Sequence, residues 1–138
     1  MLRRLAFALL LATGTAAARG LETTGDYQVH YSAFASGFLT PEIAREYGIL
    51  RSRTRGVLLV SVKRAGEPAT PPTEAWVSAG SGQPEPLPLR AVRTDGTVSF
   101  LGSFAIADGE SRRFRILVTP PDAAPLEITF SQQFFDER

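Results

Sequence analysis

Apolar and polar positions alternate along most of this chain in short runs, and turn residues separate the runs. Between Asp26 and Phe34, an extended strand places Tyr27, Val29, Tyr31 and Ala33 on one face and Gln28, His30 and Ser32 on the other. Gly56–Lys63 (GVLLVSVK) is apolar almost throughout, the pattern of a central strand covered on both sides. Thr73–Gly80 is a shorter candidate carrying Val77 and Trp76, the latter expected in the core. Leu87–Arg93 and Thr97–Phe104 flank Thr94-Asp95-Gly96, a hairpin signal. In Arg112–Thr119, Phe114, Ile116 and Val118 alternate with Arg113 and Arg115. Leu126–Phe135 ends the pattern with Leu126, Ile128 and Phe130 on its inner face. The expected fold is all-β, an immunoglobulin-like antiparallel β-sandwich of about seven strands. A small closed barrel would satisfy the same alternation. Prolines fall between the runs, at 68–72, 84–88 and 120–125, where no ladder needs their missing amide proton.

One stretch departs from this pattern. Residues 25–49 pass from a strand through a loop into a short helix, expected over about 41–47. Thr40 is placed to cap it, Pro41 suits its first position, Glu42 favours the positive end of its dipole, and Gly48 can end it in a left-handed conformation. Two turns hardly persist alone in water, so this helix is expected to dock on the sandwich. Ile43 and Tyr47 lie four apart on one face, with Phe38, Leu39, Ile49 and Leu50 flanking.

The first residues read as an export signal rather than as part of the fold. Arg3 and Arg4 precede the apolar run Leu5–Leu11, too short to span a bilayer, and Ala16, Ala17 and Ala18 supply small residues for cleavage. Cleavage is placed after Ala18, leaving residues 19–138 as a single domain in a periplasm, with no membrane-spanning segment. The chain has no cysteine, which excludes a lipid-anchored terminus, thiol catalysis and thiolate metal sites. Lys and Arg number 15 and Asp and Glu 14. Loss of Arg3 and Arg4 with the leader makes the domain near neutral, so nothing pulls it towards nucleic acid.

The block HYSAFASGFLTPEIAREYGI at 30–49, RSRTRGVLLVSV at 51–62, Val98–Phe104 and Ile128–Phe135 together resemble domain-of-unknown-function family 4426, small periplasmic proteins of proteobacteria. The resemblance covers the whole domain and implies a periplasmic immunoglobulin-like fold. It brings no activity and no catalytic residue. Members often carry asparagine where this chain has Ser32 and Ala35.

Candidate chemistry is sparse. His30 is the sole histidine. Asp26 shares its strand face but lies roughly 13 Å away, too far to pair along one strand. No nucleophile elbow, phosphate loop or metal-ligand spacing is present, so no cofactor and no metal site are expected. Arg51, Arg53 and Arg55 follow the helix; in an extended chain their guanidinium groups would form a comb for carboxylate or phosphate. The bland reading of that comb is a charged edge that discourages aggregation. His30, Tyr31, Arg51 and Arg53 are therefore the candidate binding residues. The function expected is a noncatalytic interaction module of the cell envelope, taking an envelope protein, peptide or cell-wall component. A small hydrolase using His30 and carboxylates is the first alternative, and a structural or chaperone-like domain the second.

Overall fold

The computed structural model describes residues 18–94 and 96–135; of the expected leader it includes only Ala18, and Asp95 of the expected hairpin lies outside the described residues. In chain order the elements are β1 (Ala18–Thr24), β2 (Tyr27–Ala35), a 3-10 turn (Ser36–Phe38), α1 (Pro41–Tyr47) and β3 (Arg55–Arg64). There follow β4 (Glu67–Ala69), β5 (Thr73–Ala79), β6 (Glu85–Pro86), β7 (Arg90–Thr94), β8 (Thr97–Ala105), β9 (Ser111–Val118) and β10 (Leu126–Gln133). One sheet has the order β1-β2-β3-β8-β7, with β4 continuing the ladder beside the end of β3; the other has the order β10-β9-β5-β6. All pairings are antiparallel. Each sheet keeps two edges, so the architecture is a sandwich of immunoglobulin-like type and not a closed barrel.

The core forms where the alternation of both sheets turns inward. Val29, Ala33, Leu58, Val60 and Val62 from one sheet meet Ala75, Phe114, Ile116, Val118 and Ile128 from the other. Each of the valine, leucine, isoleucine and phenylalanine side chains contributes about 1.5–3 kcal/mol by leaving water. Aromatic rings cross this core in contact. Tyr31 meets Phe130 at 4.8 Å, Phe130 stacks on Phe114 at 4.9 Å, and Phe114 meets Phe104 at 5.2 Å.

A second apolar cluster lies on the opposite face of the six-stranded sheet. Val57, Val92 and Leu101 are buried there beneath Tyr47 and Ile49, with Phe34 and Leu59 alongside. That explains why β3 is apolar on both faces: one face meets the partner sheet, the other meets the inserted helix.

Three expectations need correction. β1, β4 and β6 were not expected: β1 lacks alternation, and the other two are short strands that contain proline. Leu87 precedes its strand rather than joining it, although it is buried in the core and its N–H bonds to the Ala75 carbonyl. Trp76 is not a core residue. Its neighbours Ala75 and Val77 point inward, so alternation turns Trp76 outward, half-buried, with the Arg115 guanidinium 4.7 Å above its ring.

Candidate functional site

The outward face of the six-stranded sheet is set by register. His30 pairs with Leu21 of β1 and Ser61 of β3, and Ser61 pairs in turn with Ser99 of β8. One step along, Ser32 pairs with Arg19 and Leu59. These residues alternate with the inward core positions and therefore face away from it. The Ser61 and Ser99 hydroxyls bond to each other at 2.9 Å. Over β1, β2 and β3 the face forms an open groove of about 570 Å³, lined by Arg19, Leu21, His30, Ser32, Phe34, Leu59 and Ser61 with parts of Gly20 and Tyr31.

The helix bounds this face, and its sequence signals hold in detail. The Thr40 side chain accepts from the Ile43 N–H at 3.2 Å, Pro41 occupies the first turn, and Gly48 sits at φ 69° and ψ 35°. Arg90 of β7 donates to the carbonyls of Tyr47 and Gly48, pinning the negative end of the helix to the sheet. Docking runs through Ala44, which is buried, and through Tyr47 and Ile49. Ile43, Phe38 and Leu50 were expected in that contact but remain exposed, Leu50 at 80%. At 100° per residue Ile43 lies about 40° from Tyr47 but about 100° from Ala44, at the margin of the face that the sheet covers.

The return from helix to β3 is latched by Ser36. Its fully buried hydroxyl accepts from the Ser52 N–H at 2.9 Å and donates to the Ser52 carbonyl at 3.0 Å. Arg51 donates to the Gly37 carbonyl at 3.3 Å, so its guanidinium closes the same loop. Arg53 is exposed in a turn with Thr54, whose N–H bonds to the Ser52 hydroxyl at 3.1 Å. The extended comb of Arg51, Arg53 and Arg55 is therefore not formed: a turn interrupts it before Arg55 opens β3.

Of the sequence candidates, His30 and Tyr31 border the groove, whereas Arg51 and Arg53 are not among its lining residues. Alternation separates even the first two. His30 faces outward and is exposed, while the Tyr31 ring turns inward onto Phe130 and lies over Gly20. Burial there raises the Tyr31 hydroxyl pKa, with the nearby Glu22 charge adding to it. Sequence reading missed Arg19, Leu59 and Ser61. Leu59 and Ser61 share an alternation parity that the sequence does contain, but Arg19 lies beside the expected cleavage point and joins the face only through the β1 pairing.

Two further features sit elsewhere. At one end of the sandwich Tyr27 donates to Asp122 at 2.7 Å, and Arg64 pairs with the same carboxylate at 2.6 Å. The Tyr27 hydrogen bond, helped by the Arg64 charge, holds Asp122 below the usual aspartate pKa, and the same bond raises that of Tyr27. Beside them lies a cavity of about 400 Å³ walled by Pro71, Pro72, Pro120 and Pro121. Among the described residues, no three of His, Asp and Glu come together as a metal site, and no helix is long and apolar enough to cross a membrane.

Comparison with known proteins adds a family. A search of curated proteins gives no match to the chain. A solved DUF4426 family protein from Pseudomonas aeruginosa is similar over 87% of this chain and 97% of its own, at 28% identity and a TM-score of 0.73. FetP of a uropathogenic Escherichia coli strain, recombinantly expressed in the periplasm, shares the fold at 8% identity and a TM-score of 0.57, over 91% of this chain and 100% of its own. A copper-bound variant of FetP gives 7% identity and a TM-score of 0.56, over 88% and 93%. The family model described as a domain of unknown function, DUF4426, matches residues 21–137, and the chain belongs to that family.

Proposed function

We propose that this chain is a noncatalytic binding module of the cell envelope, exported to the periplasm with cleavage after Ala18, and that it engages its partner on the outward face of the six-stranded sheet. The observation that carries this is the groove itself, an open site of about 570 Å³ on the sheet, with the polar side chains of Arg19, His30, Ser32 and Ser61 set among Leu21, Phe34 and Leu59. The export reading draws support from FetP, a fold neighbour recombinantly expressed in the periplasm.

The hydrolase reading has less behind it. A histidine base needs an acid to orient it and a nucleophile beside it. The residues paired across from His30 are Leu21 and Ser61, and the Ser61 hydroxyl is engaged with Ser99. Edge pairing with exposed strands is also weakly supported, since the edge strands carry Arg19 and Glu22 on β1, Arg90 and Arg93 on β7, and Glu127 on β10. Copper, which the FetP variant binds, would find few donors in this chain, with one histidine and no cysteine.

The test is site-specific photo-cross-linking in intact cells, with the reactive residue placed at Ser32 in the groove or at Ser131 on the other sheet. A defined product from Ser32 alone is expected. Equal products from both positions, or none from Ser32, would sink the proposed face. Turnover of model esters or peptides that disappears in His30→Ala would replace it with the hydrolase reading.

A further inference from the structure

The outward face of the six-stranded sheet has an unusual charge pattern. Alternation places Arg19, Arg55, Lys63 and Arg90 on that face, and no Asp or Glu of its strands shares their parity; Glu22 and Glu67 have the opposite parity. The outward face of the other sheet is different. There Arg113 and Arg115 are interleaved with Glu74 and Glu127, and Arg115 pairs with Glu127. Arg90 is used by the helix, but Arg19 and His30 have no side-chain hydrogen bond or ion pair among the described residues, and both line the groove. The covering helix brings Glu42 and Glu46, both exposed to solvent.

Resting on the groove reading above, we propose that its ligand is a carboxylate carried on an apolar body. Arg19 takes the carboxylate, His30 and Ser32 supply further hydrogen bonds, and the body lies on Leu21, Leu59 and Phe34. Three features select this class. The Arg19 guanidinium at the β1 edge of the groove matches one carboxylate through its two-pronged donor geometry. The absence of carboxylates at the outward positions of these strands lowers the repulsion an anion would otherwise meet. The apolar lining would be left wet by a small inorganic anion. Positions two apart along a strand are about 6.6 Å apart and neighbouring strands about 4.8 Å, so Arg19, which pairs with Ser32, and Phe34, two residues along from Ser32, are within reach of one acyl chain or one short apolar peptide.

The experiment is a nuclear magnetic resonance titration of the purified, exported protein. The probes are octanoate, octanol, acetyl-leucyl-leucine as its acid and as its amide, and inorganic phosphate. Shifts are expected at the His30, Ser32, Leu59 and Ser61 amides, with each acid binding about tenfold more tightly than its uncharged counterpart. Tighter binding of octanoate than of the peptide acid assigns an acyl chain, and the reverse assigns a peptide C-terminus. Arg19→Gln is expected to weaken the preference for the acids, the α-ammonium left by cleavage after Ala18 remaining at the same position, and Arg19→Lys to keep most of it. Ser32→Asp is expected to abolish octanoate binding while octanol still binds. Octanol binding as tightly as octanoate, phosphate matching octanoate, or octanoate binding kept in Ser32→Asp would each overturn the ligand class. The cross-linking result at Ser32 stands apart from these outcomes and decides separately whether the groove is a binding face.

Discussion

Ser36 shows how one hydroxyl organises the segment that distinguishes this chain from a plain sandwich. It is fully buried, and both the N–H and the carbonyl of Ser52 depend on it. Ser36→Ala is expected to cost about 1–3 kcal/mol, because the part-buried Ser52 N–H and carbonyl lose their partner; urea unfolding measures it, and an unchanged midpoint would contradict the latch. Asp122 gives a prediction in pH. Its folded pKa is depressed, first by the Tyr27 hydrogen bond and then by the Arg64 charge. The stability it supplies is therefore complete above the ordinary aspartate range and is lost as pH falls through the depressed value. Tyr27 is shifted the other way, so its share persists below the ordinary tyrosine value and is lost only as pH rises through the raised one. Asp122→Asn is expected to flatten the acid side of the stability profile without abolishing it, since Glu110, lowered chiefly by its bond to Arg112, titrates in the same sense. An unchanged acid slope in the variant would refute this assignment.

At the scale of the element, the helix depends on its attachment more than on its own turns. Seven residues are too few to persist in water, and what keeps them is the contact of Ala44, Tyr47 and Ile49 with the sheet together with the Arg90 clamp. Arg90→Ala is expected to cost about 1 kcal/mol and to quicken amide exchange at Gly48 and Ile49, whose N–H groups bond back to Arg45 and Ala44. Exchange in the β3–β8 ladder should stay as it was; equal loosening of both would mean the clamp serves the whole sheet. The helix boundaries were legible because capping is local chemistry: Thr40, Pro41 and Gly48 act within a few residues of themselves. Its docking face was legible only in part. Ile43 and Tyr47 satisfy the same spacing rule, and only the position of the sheet beneath decides that Tyr47 is covered and Ile43 is not.

For the whole molecule, the two faces of each sheet carry very different weights. Phe114, buried at the centre of the aromatic contacts, is expected to cost about 3–5 kcal/mol as Phe114→Ala, a large share of the stability of a domain this size. Trp76→Ala removes a ring of larger area but one packed on the outside beneath Arg115, and should cost about 1 kcal/mol. Thermal unfolding of the two variants compares them directly, and a larger loss at Trp76 would contradict the assignment of faces. A tryptophan invites the expectation of burial because it is large and apolar. Its strand parity, with Ala75 and Val77 inward, argued the other way and was the better guide.

The sequence by itself determined the fold class, the main strands, the capped helix and the family, because each is written in periodicity or in neighbouring residues. Alternation fixes which side chains share a face, and it already set His30 apart from Tyr31. Only the tertiary structure decided which faces are covered and which strands stand side by side. Pairing β1 with β2 brings Arg19 beside Ser32, and pairing β2 with β3 brings Ser61 beside His30, joining positions far apart in the chain. The turn at Arg53 and the bond from Arg51 to Gly37 likewise broke the arginine comb that an extended chain would have formed. Register between distant strands comes from packing the whole core at once. For that reason the groove, unlike the helix beside it, could not be read from any one stretch of the chain.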